Sequence, residues 1–254
     1  MTARILVTSL LLFVSLLMTE NLLAAELSFK PGIEFQSLDI QNMQNDDFQN
    51  PGMLFVDAGE QLASTPVGKT NKACIDCHEK FDGVARQFPK FNSRLKQTVS
   101  LTSQVLACRT DHQQAEALSY ESKTALSLTT YVTHQSRGLS YHDVDDGLSE
   151  AIARGRDYYY SRKGQLNLAC VHCHEQNSGK FLRGDLISHG VSTGYPIYRL
   201  EWQGMGSLHR RFRACDIGVR AEPAIMGGQV YTELELYLRT RETGLTITAP
   251  GVRR

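Results

Sequence analysis

The sequence predicts a mostly α-helical protein built from two similar units in tandem, and three observations carry that expectation. A short string, C-x-x-C-H, occurs twice, as CIDCH at 74–78 and CVHCH at 170–174. Sliding the chain over itself by 96 places lays residues 57–80 on 153–176 without a gap. Gly59 falls on Gly155, Gly68 on Gly164, Asn71 on Asn167 and Ala73 on Ala169; both cysteines, the histidine, and Glu79 on Glu175 follow. Such self-similarity marks a repeated structural unit. Finally, apolar residues recur at helical rather than strand spacing.

The first element is a targeting segment. Arg4 supplies positive charge, residues 5–18 are apolar apart from Thr8, Ser9 and Ser15, and Leu22, Leu23, Ala24 and Ala25 precede Glu26. That order is a secretory signal peptide, residues 1–25, cleaved after Ala24 or Ala25. An uncleaved anchor is the alternative. No other stretch is long and apolar enough to span a bilayer, so the mature chain is expected to have no membrane span. Lysine plus arginine and aspartate plus glutamate are both 27, for a net charge of zero. A nucleic-acid binder needs a basic surplus, and none is present.

Six cysteines in an exported chain would suggest disulfides, but four of them lie in the two strings. C-x-x-C-H is the signature of covalent haem attachment. Its two thiols bond to the two vinyl groups of one porphyrin and so must share a turn, and the histidine that follows reaches the iron from the same side. Two strings imply two haem c groups, one at Cys74, Cys77 and His78, the other at Cys170, Cys173 and His174. Paired zinc or redox C-x-x-C sites are the alternative, but these do not need a trailing histidine both times.

Each unit reads as helical. Leu148, Ile152, Gly155 and Tyr159 form one helix face, and Val230, Leu234, Tyr237 and Leu238 form another. Glycine on the first face is tolerable where another helix crosses closely. Leu128, Tyr131 and Gly138 fall on Leu234, Tyr237 and Gly244 at a shift of 106, giving the first unit a matching terminal helix. Two crossed helices clasping a haem is the cytochrome c arrangement. The polar run SYHDVDDG marks a boundary, dividing the mature chain into units 26–142 and 143–254. Residues 26–55 read as irregular. The expected fold is therefore mostly α, with two cytochrome c-type haem domains in tandem, related by internal duplication.

The two remaining cysteines, Cys108 and Cys215, each lie between a haem string and the terminal helix of their unit. In a cytochrome c domain the second axial ligand comes from this segment, usually a methionine. None of Met43, Met53, Met205 and Met226 lies between Cys77 and the first terminal helix. A thiolate is then the expected ligand in both units, with His112 a competitor in the first. A Cys108–Cys215 disulfide, or two inert thiols, are the alternatives. Arg210, Arg211 and Arg213 precede Cys215, and Arg220 follows it. Arg211 stands four residues before Cys215, on the same face if the segment is helical. A guanidinium beside a thiol favours the thiolate and can hold a small oxyanion through two contacts. Pairing of these arginines with haem propionates is the competing use. Cys108 has only Arg109 beside it.

These residues resemble the SoxA family, the larger subunits of the SoxAX cytochromes of bacterial sulfur oxidation. The likeness is strongest in GQLNLACVHCH, TGYPIYRLEWQ, SLHRRFRACDIGVRAEP, LELYLRTRETGL and APGVRR, and looser through CIDCH, Cys108 and YVTHQSRG. Because both strings and Cys108 are present, the chain looks like the dihaem type. The resemblance implies an L-cysteine S-thiosulfotransferase of the EC 2.8.5 type in the periplasm. Such an enzyme joins thiosulfate oxidatively to a cysteine of a SoxYZ-type carrier, and two electrons pass to haem. The implied partners are a small monohaem SoxX-type cytochrome, the carrier and a downstream cytochrome acceptor. The implied catalytic residue is Cys215, as a persulfide and as axial ligand of the second haem, with Arg211 binding substrate and Cys108 ligating the first haem. A plain dihaem electron-transfer cytochrome is the alternative; only the catalytic reading gives Arg211 a use beyond a propionate.

Overall fold

A computed structural model describes residues 29–254. The signal-peptide reading falls on residues outside that range. The first described elements are a 3-10 turn, Gly32–Phe35, and a helix α1, Leu38–Asn45. Helix α2 follows, Met53–Ser64, and the first C-x-x-C-H string opens in a 3-10 turn, Cys74–Asp76. Strands β1, Lys90–Asn92, and β2, Gln97–Val99, form an antiparallel hairpin leading into α3, Leu101–Asp111, and α4, Lys123–His134.

The second half repeats this order. Helix α5, Ser149–Tyr160, precedes α6, Cys170–His174, which holds the second string. A two-residue hairpin intervenes, β3 Phe181–Leu182 with β4 Asp185–Leu186. Then come β5 Ile197–Arg199, β6 Gly204–Gly206, α7 Leu208–Gly218, α8 Gln229–Thr240 and β7 Gly251–Arg253. Strand β5 pairs antiparallel with β6 and parallel with β7.

The same local devices start equivalent helices. Ser100 caps α3 by accepting from the Ser103 N–H at 3.2 Å, and Ser207 caps α7 by accepting from the Arg210 N–H at 3.1 Å. Helices α2 and α4 cross, as do α5 and α8, and glycine sets how close they come. A Cβ on Gly59 would lie 2.2 Å from the Ser127 carbonyl oxygen, and one on Gly155 would lie 2.0 Å from that of Glu233. Of the helical face read from Leu148, Ile152, Gly155 and Tyr159, the last three pack on Leu234, Tyr237 and Leu238, while Leu148 meets Leu236 instead. Val230 departs from that reading: it sits in the first turn of α8, beyond the crossing, and is 44% exposed.

Residues 26–55, expected to be irregular, contain α1 and the start of α2. Their order comes from the other end of the chain. The buried Gln44 carboxamide oxygen accepts from the Val252 N–H at 3.0 Å and from Arg253 Nη1 at 2.8 Å, and Asn50 Nδ2 donates to the Pro250 carbonyl at 2.9 Å. Ile247 and Ala249 complete a core otherwise made by the first half, around Phe88, Val99, Leu101, Val132 and Tyr141.

The halves meet across a buried ionic cluster. Arg239 on α8 pairs with Glu235 and Glu242, donates to Ser192 Oγ, and reaches the Phe88 carbonyl of the first half through Nε at 3.3 Å. Its guanidinium lies 3.9 Å from the centre of the Tyr141 ring. The His209 ring stacks on Tyr120 at 4.9 Å between centroids.

Candidate functional site

In the second half, α6 carries Cys170, Cys173 and His174 on one short helical segment. The segment is pinned at its start by the Ala169 N–H donating to His172 Nδ1 at 2.9 Å. His174 Nδ1 lies 2.8 Å from the Ser188 carbonyl, so this nitrogen carries the proton and Nε2 keeps its lone pair. Burial, together with the Arg211 and Arg241 charges, holds the imidazole below its ordinary pKa, in the neutral form a metal ligand needs. Gly190 lets the backbone pass the ring, since a Cβ there would lie 3.0 Å from His174 Cγ. Burial pushes the Cys170 thiol up to about 12 and raises that of Cys173.

Helix α7 brings Cys215 up to this segment, close enough for its charge to act on both Cys170 and Cys173. Arg211, one turn earlier, is partly buried, and its largest electrostatic partner is Cys215, which raises the arginine's pKa; the Tyr195 hydroxyl acts in the same direction. Among the described residues no carboxylate lies within 4.0 Å of Arg211. The other arginines of the cluster point elsewhere. Arg210 lies over the Trp202 ring at 4.0 Å and reaches Glu121 at 4.0 Å, Arg220 donates to Gln165 at 3.3 Å, and Arg213 is exposed.

Sequence reasoning missed what anchors α7. Asp216, next to Cys215, is buried and accepts from the hydroxyls of Tyr158 on α5 and Tyr231 on α8, both at 2.6 Å. Lys163 stands 3.9 Å from the same carboxylate. The signal was available in the aligned halves: the residue after the thiol is Arg109 in one and Asp216 in the other.

The first half places Cys74 at the start of the 3-10 turn and Cys77 at its C-cap, with the Ala73 N–H donating to Asp76 Oδ2 at 2.8 Å, the counterpart of the His172 contact. His78 is exposed, its ring 5.5 Å from that of Phe81. Cys108 lies on α3, close enough to Cys74 to act on its charge, and burial raises the Cys74 thiol against the opposing pull of Arg109. Thr70 and Gln113 tie the string to the end of α3: the Thr70 N–H donates to the Gln113 carbonyl at 3.3 Å, and Gln113 Nε2 to that of Lys72 at 2.7 Å. His112, the competing ligand, is exposed at the C-cap of α3. Gln104 Nε2 donates to Cys108 Sγ at 3.2 Å, where the second half has Arg211.

All six cysteines are free, and Cys108 and Cys215 each stay with the string of their own half. The donor set fits a covalently attached haem c. In the second half two neutral thiols share a turn and His174 offers a free Nε2; in the first half Arg109 is buried with Nε and Nη1 unpartnered, as a group awaiting an anionic propionate would be.

Comparison with known proteins agrees with this chemistry. Residues 58–141 match the family model described as the SoxA/TsdA cytochrome c domain, which implies covalent haem c. The L-cysteine S-thiosulfotransferase subunit SoxA of Pseudaminobacter salicylatoxidans is 36% identical over 87% of this chain and 79% of its own length. The subunit of the same name from Rhodovulum sulfidophilum is 33% identical over 88% and 80%. The crystal structure of SoxXA from P. pantotrophus superposes with a TM-score of 0.85 at 30% identity, covering 89% of this chain and 87% of that one. With its attachment strings, its helix-borne thiols and this extent of likeness, the chain belongs to the SoxA family.

Proposed function

We propose that this chain is the dihaem catalytic subunit of an L-cysteine S-thiosulfotransferase, which joins thiosulfate to a cysteine of a SoxYZ-type carrier protein. The name shared by its relatives supports the activity, and the solved SoxXA structure supports a small SoxX-type cytochrome as partner. In this reading the mature, periplasmic chain comprises two duplicated haem domains, 26–142 and 143–254. Their equivalent helices, caps and glycine crossings support the duplication. Cys74 and Cys77 hold one haem c, with His78 and Cys108 as axial ligands. Cys170 and Cys173 hold the other, with His174 and Cys215. Bound haem supplies a one-electron acceptor beside each thiol.

The reaction balances as one carrier thiol plus one thiosulfate giving one new S–S bond, with loss of a proton and two electrons to a downstream cytochrome. Cys215 is the catalytic cysteine, carrying sulfur as a persulfide. The observation that carries the reading is Arg211, a partly buried guanidinium with no carboxylate within 4.0 Å among the described residues and a cysteine sulfur as its largest partner. A cation so placed holds a dianion against the sulfur through charge-assisted contacts. Intact mass of the purified protein reports signal removal, two haems and any added sulfur together. Turnover of thiosulfate with carrier and partner cytochrome should be lost in Arg211→Ala. Full activity in that variant with both haems in place would overturn the assignment in favour of a plain electron-transfer cytochrome.

A further inference from the structure

The two thiols outside the attachment strings occupy equivalent places on equivalent helices and meet different neighbours. Four residues before Cys215 stands Arg211; four before Cys108 stands Gln104, whose Nε2 donates to the sulfur at 3.2 Å. The other end of that carboxamide is also engaged, because Asn92 Nδ2 donates to Gln104 Oε1 at 2.8 Å. Asn92 is itself held by its turn, its Oδ1 accepting from the N–H groups of Arg94 and Leu95 at 3.0 Å each. A donor from Asn92 fixes which way round the Gln104 amide lies: the oxygen faces Asn92 and the nitrogen faces the sulfur. At the same shift of 107 that superposes Cys108 on Cys215, Asn92 and Gln104 fall on Arg199 and Arg211. One half has a pair of amides where the other has a pair of guanidinium groups.

We infer that Asn92 and Gln104 form a relay that holds a neutral N–H on the Cys108 sulfur, raising the reduction potential of the first haem and reserving that thiol for electron transfer. The inference rests on the reading that Cys108 is an axial ligand. A hydrogen bond to a ligating thiolate withdraws electron density from the metal and so favours the reduced state. A neutral amide satisfies the sulfur without supplying the positive charge that would recruit a dianion there. Gln104 and Asn92 are positioning residues in this scheme.

The test is a redox titration of the dihaem protein purified with its partner cytochrome, with low-spin EPR recorded on the same samples. Cys108→Met identifies the first haem by the signal it alters. Gln104→Leu keeps the bulk and removes the donor, whereas Asn92→Ala leaves Gln104 but frees its amide to turn. Both should shift the first haem to a more negative potential, Gln104→Leu by more, with changed g values and the second haem unmoved. An unmoved potential and unchanged g values in Gln104→Leu overturn the relay. If Gln104→Leu fails to hold its haem, Asn92→Ala decides: a negative shift supports the relay and an unmoved potential overturns it. Should Cys108→Met leave every low-spin signal intact, the ligation reading fails and the relay with it. An altered signal in Cys108→Met beside an unmoved Gln104→Leu overturns the relay alone.

Discussion

Arg211 and Gln104 stand one helical turn before a cysteine on helices that begin with the same serine cap, and only one of them carries charge. In the proposed function, that difference separates a thiol equipped to meet thiosulfate from one that is not. Arg211→Lys retains the charge and loses the planar fork, so thiosulfate should bind less well, by about 1.5–3 kcal/mol for one lost charge-assisted contact. The loss should appear in kcat/KM for thiosulfate with haem content unchanged, and an unchanged kcat/KM would remove the fork from the account. Arg211 was legible in the sequence because its partner lies within one turn. Gln104 was not, since its meaning depends on Asn92 in a hairpin that the sequence did not announce. Asp216 escaped for a similar reason, its two tyrosine donors arriving from positions 58 residues upstream and 15 downstream.

At the scale of elements, the glycines that repeat at a shift of 96 mark where helices touch backbone to backbone. Gly155→Ala would put a methyl 2.0 Å from the Glu233 carbonyl oxygen. The helices would have to part, costing about 1–3 kcal/mol or more. Gly218→Ala, on α7 with nothing within 4 Å of the new atom, should be neutral or mildly stabilising. Chemical denaturation of the two variants checks this, and equal midpoints would mean that the crossing gives way without cost. The crossing helices were legible because their pattern combines apolar spacing with a glycine. Helix α1 was not, because its anchor is a buried glutamine rather than an apolar stripe. Strands β1, β2, β5, β6 and β7, three residues each, are too short to show alternation.

Across the whole molecule, charge rather than oil joins the halves at Arg239. Burial alone would raise the Glu235 carboxyl, but the contact from His209 and the charge of Arg239 hold it below the ordinary carboxylate range. A depressed carboxyl contributes stability above its unfolded value, about 4.3, and loses that contribution as pH falls through the folded value. Glu235→Gln should therefore be less stable than the parent at pH 7, by about 1.5–3 kcal/mol. It should also lose less of its remaining stability between pH 5 and pH 3. Denaturation midpoints across that range provide the measurement, and parallel curves for the two proteins would rule out Glu235 as the titrating group. The arrangement of the ends has a consequence for how the protein is made. Gln44 waits for Val252, 208 residues later, and the core of the first half lacks Ile247 and Ala249 until residue 249 has been synthesised. Without Ile247 and Ala249 the core of the first half stays open, even though every residue of its own helices is present.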